Sequence, residues 1–355
     1  MSEILPYYYP TTVCFVDDNA SYLESLTLHL PENWPYRIFH SGHAALQYVN
    51  RAERPNSLAD RCFTPIPGQP DTQLALDLSL IEGEIARPNR FEDVSVMVVD
   101  YAMPTLNGLE MCAKIADPNV QIVLLTGVAD EAVAVQAFNA GLIHRYIRKG
   151  KTELQPNTFA IIEQMRRDYI AKCTAGLFAG LRALPTSFRQ DANFQRYFDQ
   201  VLHKQGITEY YLVTEPSGYL LIDVSGNFRR LVVLQDFELA SQHQLLVDFD
   251  APADVQQSFK AGKTLGYFYE HPADYVGEAY PWNEMMVPAE QVVSVDGSQT
   301  WHVGIHDHPP IDIDFDLSQS SLDHYLNHLD PLTGQYTEQS RRAARRQAAL
   351  QAAKE

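Results

Sequence analysis

Apolar residues in the first half of the chain fall into short unbroken runs separated by stretches with helical spacing. Val13-Cys14-Phe15-Val16, Val96-Met97-Val98-Val99 and Ile122-Val123-Leu124-Leu125 are such runs. Four residues rich in β-branched side chains mark a strand buried on both faces of a parallel sheet. Arg37-Ile38-Phe39 and Arg145-Tyr146-Ile147 supply two shorter strands. Between the runs Leu23, Leu26 and Leu30, and then Ala45, Leu46 and Val49, recur at helical spacing, with Asn19 placed to cap the first helix. Further helices are expected over 107–116, over 129–140 and from about 153 toward 180. Strand and helix alternate throughout, which predicts right-handed crossovers and a doubly wound α/β fold around a five-stranded parallel sheet.

One crossover is too long for this plan. Residues 51–93 hold the turn-rich segment Thr64-Pro65-Ile66-Pro67-Gly68-Gln69-Pro70, then Leu74, Leu78, Ile81 and Ile85 at helical spacing. That stripe needs a partner surface, either the parent domain or another subunit. Beyond residue 190 the pattern changes. An amphipathic helix over 191–204 carries Phe194, Tyr197, Phe198 and Val201. Strand-like runs follow at 209–214, 218–223 and 229–234, joined by tight turns. Helices are expected at about 236–247 and 252–262, a strand at 265–269 and a closing hairpin at 291–295 and 300–305. This order predicts an α+β domain with a mainly antiparallel sheet. The expected division is a first domain over 1–172 with an insertion at 51–93 and a helical linker over 173–190. A second domain over 191–330 and a basic helical or disordered tail over 331–355 complete it.

Charge and cysteine content narrow the class. The net charge of −18 argues against a nucleic-acid partner, because phosphate contacts need Lys and Arg. The acidity concentrates in residues 171–330, which carry 22 acids against 9 bases. No apolar run is long enough to span a bilayer, and no basic-then-apolar leader opens the chain. Cys14, Cys62, Cys112 and Cys173 are scattered without a CxxC pair, as expected of reduced thiols in a cytoplasmic protein.

The candidate chemistry sits at the strand ends. Asp17 and Asp18 close the first strand, Asp100 the third and Thr126 the fourth, and Lys149 follows the fifth. In an open parallel sheet these carboxyl ends converge on one edge, the usual ligand crevice. Three carboxylates so close repel, and one takes up a proton unless a cation sits among them. A hard cation such as Mg²⁺ suits carboxylates, a carbonyl and waters. Asp100 then becomes a candidate nucleophile toward phosphorus, with Mg²⁺ and the Lys149 ammonium offsetting charge on the transferring oxygens.

Asp17-Asp18, Asp100-x-x-Met103-Pro104-x-x-x-Gly108, Thr126 after its strand and Tyr146-x-x-Lys149 together resemble the receiver domains of two-component response regulators, whose fold is flavodoxin-like. The resemblance covers residues 11–170 outside the insertion. It implies that Asp100 accepts a phosphoryl group from a histidine kinase or phosphotransfer protein. Asp17, Asp18 and Asp100 would bind Mg²⁺, with the Ala102 backbone carbonyl as a further ligand. Thr126 would hydrogen-bond the phosphoryl oxygen, and Tyr146 is the switch aromatic that turns inward with it. Two departures stand out: the insertion, and Gly150 after Lys149 where the family usually has proline. A cis bond to Gly costs about 2.5–4 kcal/mol, so the loop there is expected to be shaped differently, with Lys151 a weaker substitute.

The second half resembles a PAS-type sensor domain only loosely, in Val213–Asp223 and Asp296–Ile305. His302, His306, Asp307 and His308 leave open a transition-metal site or a turn into solvent. The aromatic stretch from Tyr267 through Phe268, Tyr269, Tyr275 and Tyr280 to Trp282 is read as core and loop packing, or as a ligand pocket or partner surface. Asp312, Asp314 and Asp316 suggest an edge strand with one acidic face. No helix-turn-helix, GGDEF-type, EAL-type or Walker segment appears. The expected function is a response regulator whose second domain acts by binding an unidentified output partner. The rivals are a phosphorylation-controlled enzyme and a small-ligand sensor. A homodimer is expected through the inserted helix, the long helix after Lys149, or both.

Overall fold

The computed structural model describes residues 3–50, 58–65, 74–87, 89–127, 131–149, 156–181, 187–268, 280–307, 309 and 317–328. The chain forms two compact units, each drawn from separated stretches of sequence. One comprises Tyr9–Ser57, Arg87–Ala175 and the chain from Gln319 onward. The other comprises the chain to Tyr8, Leu58–Ala86 and Gly176–Ser318.

The first unit is the expected parallel α/β sheet. Its strands are β1 (Thr12–Val16), β2 (Tyr36–Phe39), β3 (Val94–Asp100), β4 (Gln121–Thr126) and β5 (Arg145–Arg148). They lie in the order β2-β1-β3-β4-β5, all parallel. Every residue of β1, β3 and β4 is buried, as the unbroken apolar runs require. The helices are α1 (Ala20–Thr27), α2 (Gly42–Val49), α3 (Gly108–Cys112), α4 (Glu131–Asn139) and α5 (Pro156–Cys173). Asn19 caps α1 by accepting the Tyr22 amide, and Asn107 caps α3 by accepting that of Glu110. Helix α3 is shorter than the expected 107–116. Helix α5 stops at Cys173, and a tight turn with a short second helix replaces the run toward 180.

Ile162 and Met165 of α5 join Phe15, Leu26, Val96 and Val123 in one core, and Tyr169 and Ile170 are buried too. This stripe therefore folds onto its own sheet. A helix from the far end of the chain, Leu322–His328, also belongs to this unit and buries Leu322, Tyr325 and Leu326. Tyr325 packs its ring 5.4 Å from Phe91, and Arg37 donates to its hydroxyl at 3.3 Å. Those residues were expected in the second domain.

The second unit is α+β, with a six-stranded antiparallel sheet. Its main strands are β6 (Ile207–Thr214), β7 (Ser217–Asp223), β8 (Phe228–Leu234), β9 (Glu290–Val293) and β10 (Thr300–Asp307). The order is Tyr7–Tyr8, β6, β7, β8, β10, β9, so the expected meander and closing hairpin are both present. The Tyr7–Tyr8 strand is an addition from the N-terminus. It is held there because Leu212 donates to the Pro6 carbonyl, and buried Arg189 donates to that of Ile4 and pairs with Glu3. Helices α6 (Ala192–Lys204), α7 (Asp236–Asp248) and α8 (Ala253–Lys260) match their expected positions. Asp191 caps α6, and Gln235 with Glu238 forms a reciprocal capping box on α7.

The inserted segment departs from expectation in two ways. Its residues Leu58–Ala86 belong to the second unit rather than to the parallel sheet. Its helical stripe is also only partly helical, since Leu74–Leu76 pairs with Phe63–Pro65 as a hairpin and the helix is confined to Ser79–Gly83. Leu78, Ile81 and Ile85 are buried, and the short helix packs on β6. The stripe has its partner surface within its own chain.

Tyr267, Tyr280 and Trp282 lie in a core with Val232, Leu246 and Phe259, so this part of the aromatic stretch is packing. Among the described residues the strand here runs over Thr264–Gly266, where 265–269 was expected. Tyr269, Tyr275, His308, Asp312, Asp314, Asp316 and the tail lie outside the described residues. The four cysteines are unbonded, and no described helix is long and apolar enough to cross a membrane.

Candidate functional site: an acidic pocket at the strand ends

Each expected residue reaches the carboxyl edge of the parallel sheet because its strand ends there. Asp17 directly follows β1 and is fully buried, accepting the Asn19 amide at 2.9 Å, while Asp18 is exposed. Asp100 is the last residue of β3, and its carboxylate accepts the Ala102 amide at 3.2 Å. Carboxylate oxygens of Asp17, Asp18 and Asp100 lie within 4.8 Å of one another, the only such group of potential metal ligands among the described residues. Thr126 ends β4, and its carbonyl accepts the Lys149 amide, which fixes the start of the loop after β5.

The Lys149 ammonium lies 2.5 Å from an Asp17 oxygen and 3.1 Å from an Asp100 oxygen. The missing proline therefore does not keep it from the acids; Gly150 and Lys151 lie outside the described residues. Burial pushes the Asp100 carboxyl above its ordinary pKa and the charge of Asp17 adds to this, against the pull of Lys149 and the Ala102 amide. Burial alone would lower Lys149, but its hydrogen bonds to Asp17 and Asp100 prevail and hold the ammonium above its usual value. Three carboxylates facing one ammonium leave an excess of negative charge. An all-oxygen donor set of this kind suits a hard divalent cation.

Sequence reasoning missed Tyr22. It lies on α1, three residues beyond the cap, with its ring 4.6 Å from the Lys149 ammonium. Burial, followed by Asp17 and Asp100, pushes its phenol up to about 12. The signal was available, because side chains in the first turn of a helix lean back toward the preceding strand end. Tyr146 stands apart from the pocket. It is 38% exposed and meets Phe138 edge-on at 6.4 Å.

In the second unit the two described histidines of this cluster have separate partners. His302 pairs with Asp236 at 2.8 Å, and His306 sits between the carbonyls of Glu284 and Asp307. They form no metal cluster among the described residues.

Residues 83–155 match the model of the response regulator receiver domain family. This part of the chain is a receiver domain. The chain is also similar to the response regulator LqsR of Legionella pneumophila, at 29% identity and a TM-score of 0.68. That likeness covers 93% of this chain and 98% of the other, so it extends over both units. An adenylate cyclase from Rhodopirellula baltica (21% identity, 45% of this chain, 90% of that one) overlaps with a TM-score of only 0.31. A receiver domain protein from Clostridium thermocellum (16% identity, 46% and 95%) reaches 0.30. Both overlaps are too slight to support an assignment. No curated protein matches the chain. With a receiver domain and a full-length likeness to a response regulator, the chain has the make-up of a two-component response regulator. The second unit is not identified with any family.

Proposed function

We propose that Asp100 is the phosphoacceptor of this receiver. The observation that carries the reading is the convergence of Asp17, Asp18 and Asp100 on one point within reach of Lys149. One Asp100 oxygen would attack the phosphorus of a phosphohistidine, whose imidazole leaves, giving an acyl phosphate. Asp17, Asp18, Asp100 and the Ala102 carbonyl would hold Mg²⁺, which offsets charge on the transferring oxygens when bound. Lys149, already hydrogen-bonded to Asp100, moves its ammonium onto the new phosphoryl group. The Thr126 hydroxyl donates to a phosphoryl oxygen, and the space it vacates admits Tyr146, which now stands outward against Phe138.

The partners in this reading are a histidine kinase or phosphotransfer protein and an output partner of the second unit, in the cytoplasm and without nucleic acid. The homodimer stays part of the proposal on different ground from that expected. The two stripes are covered within their own units, whereas Val135, Phe138 and Tyr146 are exposed on α4 and β5, where a second copy or an output partner can read the switch.

Incubation with acetyl phosphate and Mg²⁺, followed by intact-mass measurement, tests the assignment. The wild type should gain one phosphoryl group, whereas Asp100→Asn and protein stripped of divalent cations should not. Equal labelling of the Asn variant overturns it.

A further inference from the structure

The receiver has a second feature at the opposite edge of its sheet, where strands begin. A cavity of about 570 Å³ opens there between β4, β5, α4 and α5. Phe138, Ile143 and Met165 give it an apolar wall, and Arg145 and Lys172 give it a cationic end beside His144.

The hydrogen-bond geometry at that end is incomplete. The Ile122 amide donates to His144 Nδ1 at 3.0 Å, and the His144 amide donates back to the Ile122 carbonyl at 2.9 Å, which fixes the ring on β4. An Nδ1 that accepts carries no proton, so the neutral imidazole holds its hydrogen on Nε2. Burial lowers the His144 pKa, Lys172 and Arg145 lower it further and Asp168 opposes them, so the neutral ring is the favoured form. The Lys172 ammonium nonetheless stands 3.1 Å from Nε2. Two N–H donors thus face each other at this exposed edge, with no protein acceptor between them among the described residues. Asp168, the acid of the same wall, already accepts from Gln164 at 2.9 Å.

We infer that this cavity binds a small amphipathic carboxylate. One carboxylate oxygen accepts from both His144 Nε2–H and Lys172, Arg145 adds charge, and the hydrocarbon body covers Phe138, Ile143 and Met165. Two cations against Asp168 leave roughly one positive charge, which suits a monoanion better than a phosphate dianion. Phe138 also packs edge-on against Tyr146, so a ligand on this wall touches the aromatic pair beside the phosphorylation switch.

Titration of the full-length protein with octanoate, followed by calorimetry and by the histidine ring resonances in NMR, tests the inference. Octanoate should bind saturably and shift the His144 ring resonances, with Nδ1 still accepting the Ile122 amide and Nε2–H donating to the carboxylate. The groups facing His144 are Lys172 and Asp168 of α5, Arg145 of β5 and the Ile122 amide of β4. Lys172→Gln should weaken binding about tenfold, a loss of roughly 1.4 kcal/mol. Phe138→Ala should weaken octanoate while leaving acetate, the weaker ligand, unchanged. Both side chains lie at the surface, and labelling of Asp100 by acetyl phosphate reports that each variant remains folded. Absence of saturation by about 10 mM, wild-type affinity in Lys172→Gln, or equal binding of inorganic phosphate would each overturn the inference.

Discussion

A Cβ on residue 108 would stand 2.4 Å from the carbonyl oxygen of Asp100, so the first turn of α3 can approach the end of β3 only because Gly108 has no side chain. The Gly108 amide also donates to the Tyr101 carbonyl at 3.0 Å, which ties the helix to the residue after the acid. The glycine that closes the motif thus sets where the Asp100 backbone lies.

Gly108→Ala must move backbone rather than a flexible side chain. The expected outcome is a loss of about 1–3 kcal/mol of receiver stability and slower labelling of Asp100 by acetyl phosphate. Thermal unfolding and the labelling time course check both. An Ala variant that labels at the wild-type rate would show that the close approach does not position the acid.

Asp100 should also govern how stability responds to pH and to magnesium. Its folded-state pKa is raised by burial and by Asp17, so between the ordinary carboxylate value and the raised one the folded form binds more protons than the unfolded. Stability from this group therefore falls as pH rises through that window. Asp100→Asn removes the buried charge and should raise the melting temperature of metal-free protein at neutral pH, by about 2–4 °C for each 1 kcal/mol relieved. Added Mg²⁺ should raise the wild type and leave the Asn variant nearly unchanged. Calorimetry with and without magnesium decides it, and an Asn variant that melts below the wild type would contradict the charge argument.

The outward Tyr146 gives a third expectation. Thr126→Val keeps the buried shape of the β4 end but removes the hydroxyl that would follow the phosphoryl group. It should still accept phosphate on Asp100 while the Tyr146 ring stays against Phe138. Side-chain NMR of Tyr146 before and after acetyl phosphate reads this directly. Inward turning in the Val variant would place the switch elsewhere.

The strand ends were legible because the chemistry of a parallel sheet and its hydrophobic runs point to the same places. Once Val13–Val16 and Val96–Val99 are read as buried strands, Asp17 and Asp100 have nowhere to sit but the carboxyl edge. Other features follow from tertiary packing alone. Leu78, Ile81 and Ile85 announce that a surface must cover them, but periodicity does not say whose surface. Tyr7–Tyr8 is two residues long and shows no period at all; its pairing with Tyr211 and Tyr210 comes from the neighbouring strand and from Arg189, far away in sequence. Leu322–His328 likewise carries nothing in its own residues that says it joins the parallel-sheet unit.

Tyr22 should act as a positioning residue for Lys149. Tyr22→Phe keeps the ring beneath the ammonium and should retain the wild-type lifetime of the phosphorylated protein. Tyr22→Leu loses the cation–π contact, worth about 0.5–2 kcal/mol, and should shift both the lifetime and its pH profile. Equal lifetimes in the Leu and Phe variants would reduce Tyr22 to packing.

The returning C-terminal helix should be a structural part of the receiver. Arg37 is buried in β2, and its guanidinium donates to the Tyr36 carbonyl at 3.4 Å and to the Tyr325 hydroxyl at 3.3 Å, while Nε has no partner among the described residues. A buried cation with so few acceptors is sensitive to losing one. Tyr325→Phe keeps the contact with Phe91 and removes the hydroxyl that meets Arg37 and Thr12, so it should lower receiver stability by about 1–3 kcal/mol. Tyr325→Ala also opens a cavity beside Phe91 and should reduce stability by about 3–5 kcal/mol. Neither change touches the acidic pocket, so the extent of Asp100 labelling at 25 °C should match the wild type as long as the protein stays folded. Denaturant titration of the two variants gives the comparison. A Phe variant as stable as the wild type would mean that Arg37 finds its hydrogen bonds elsewhere, and an Ala variant equal to both would mean that the helix does not hold the receiver together.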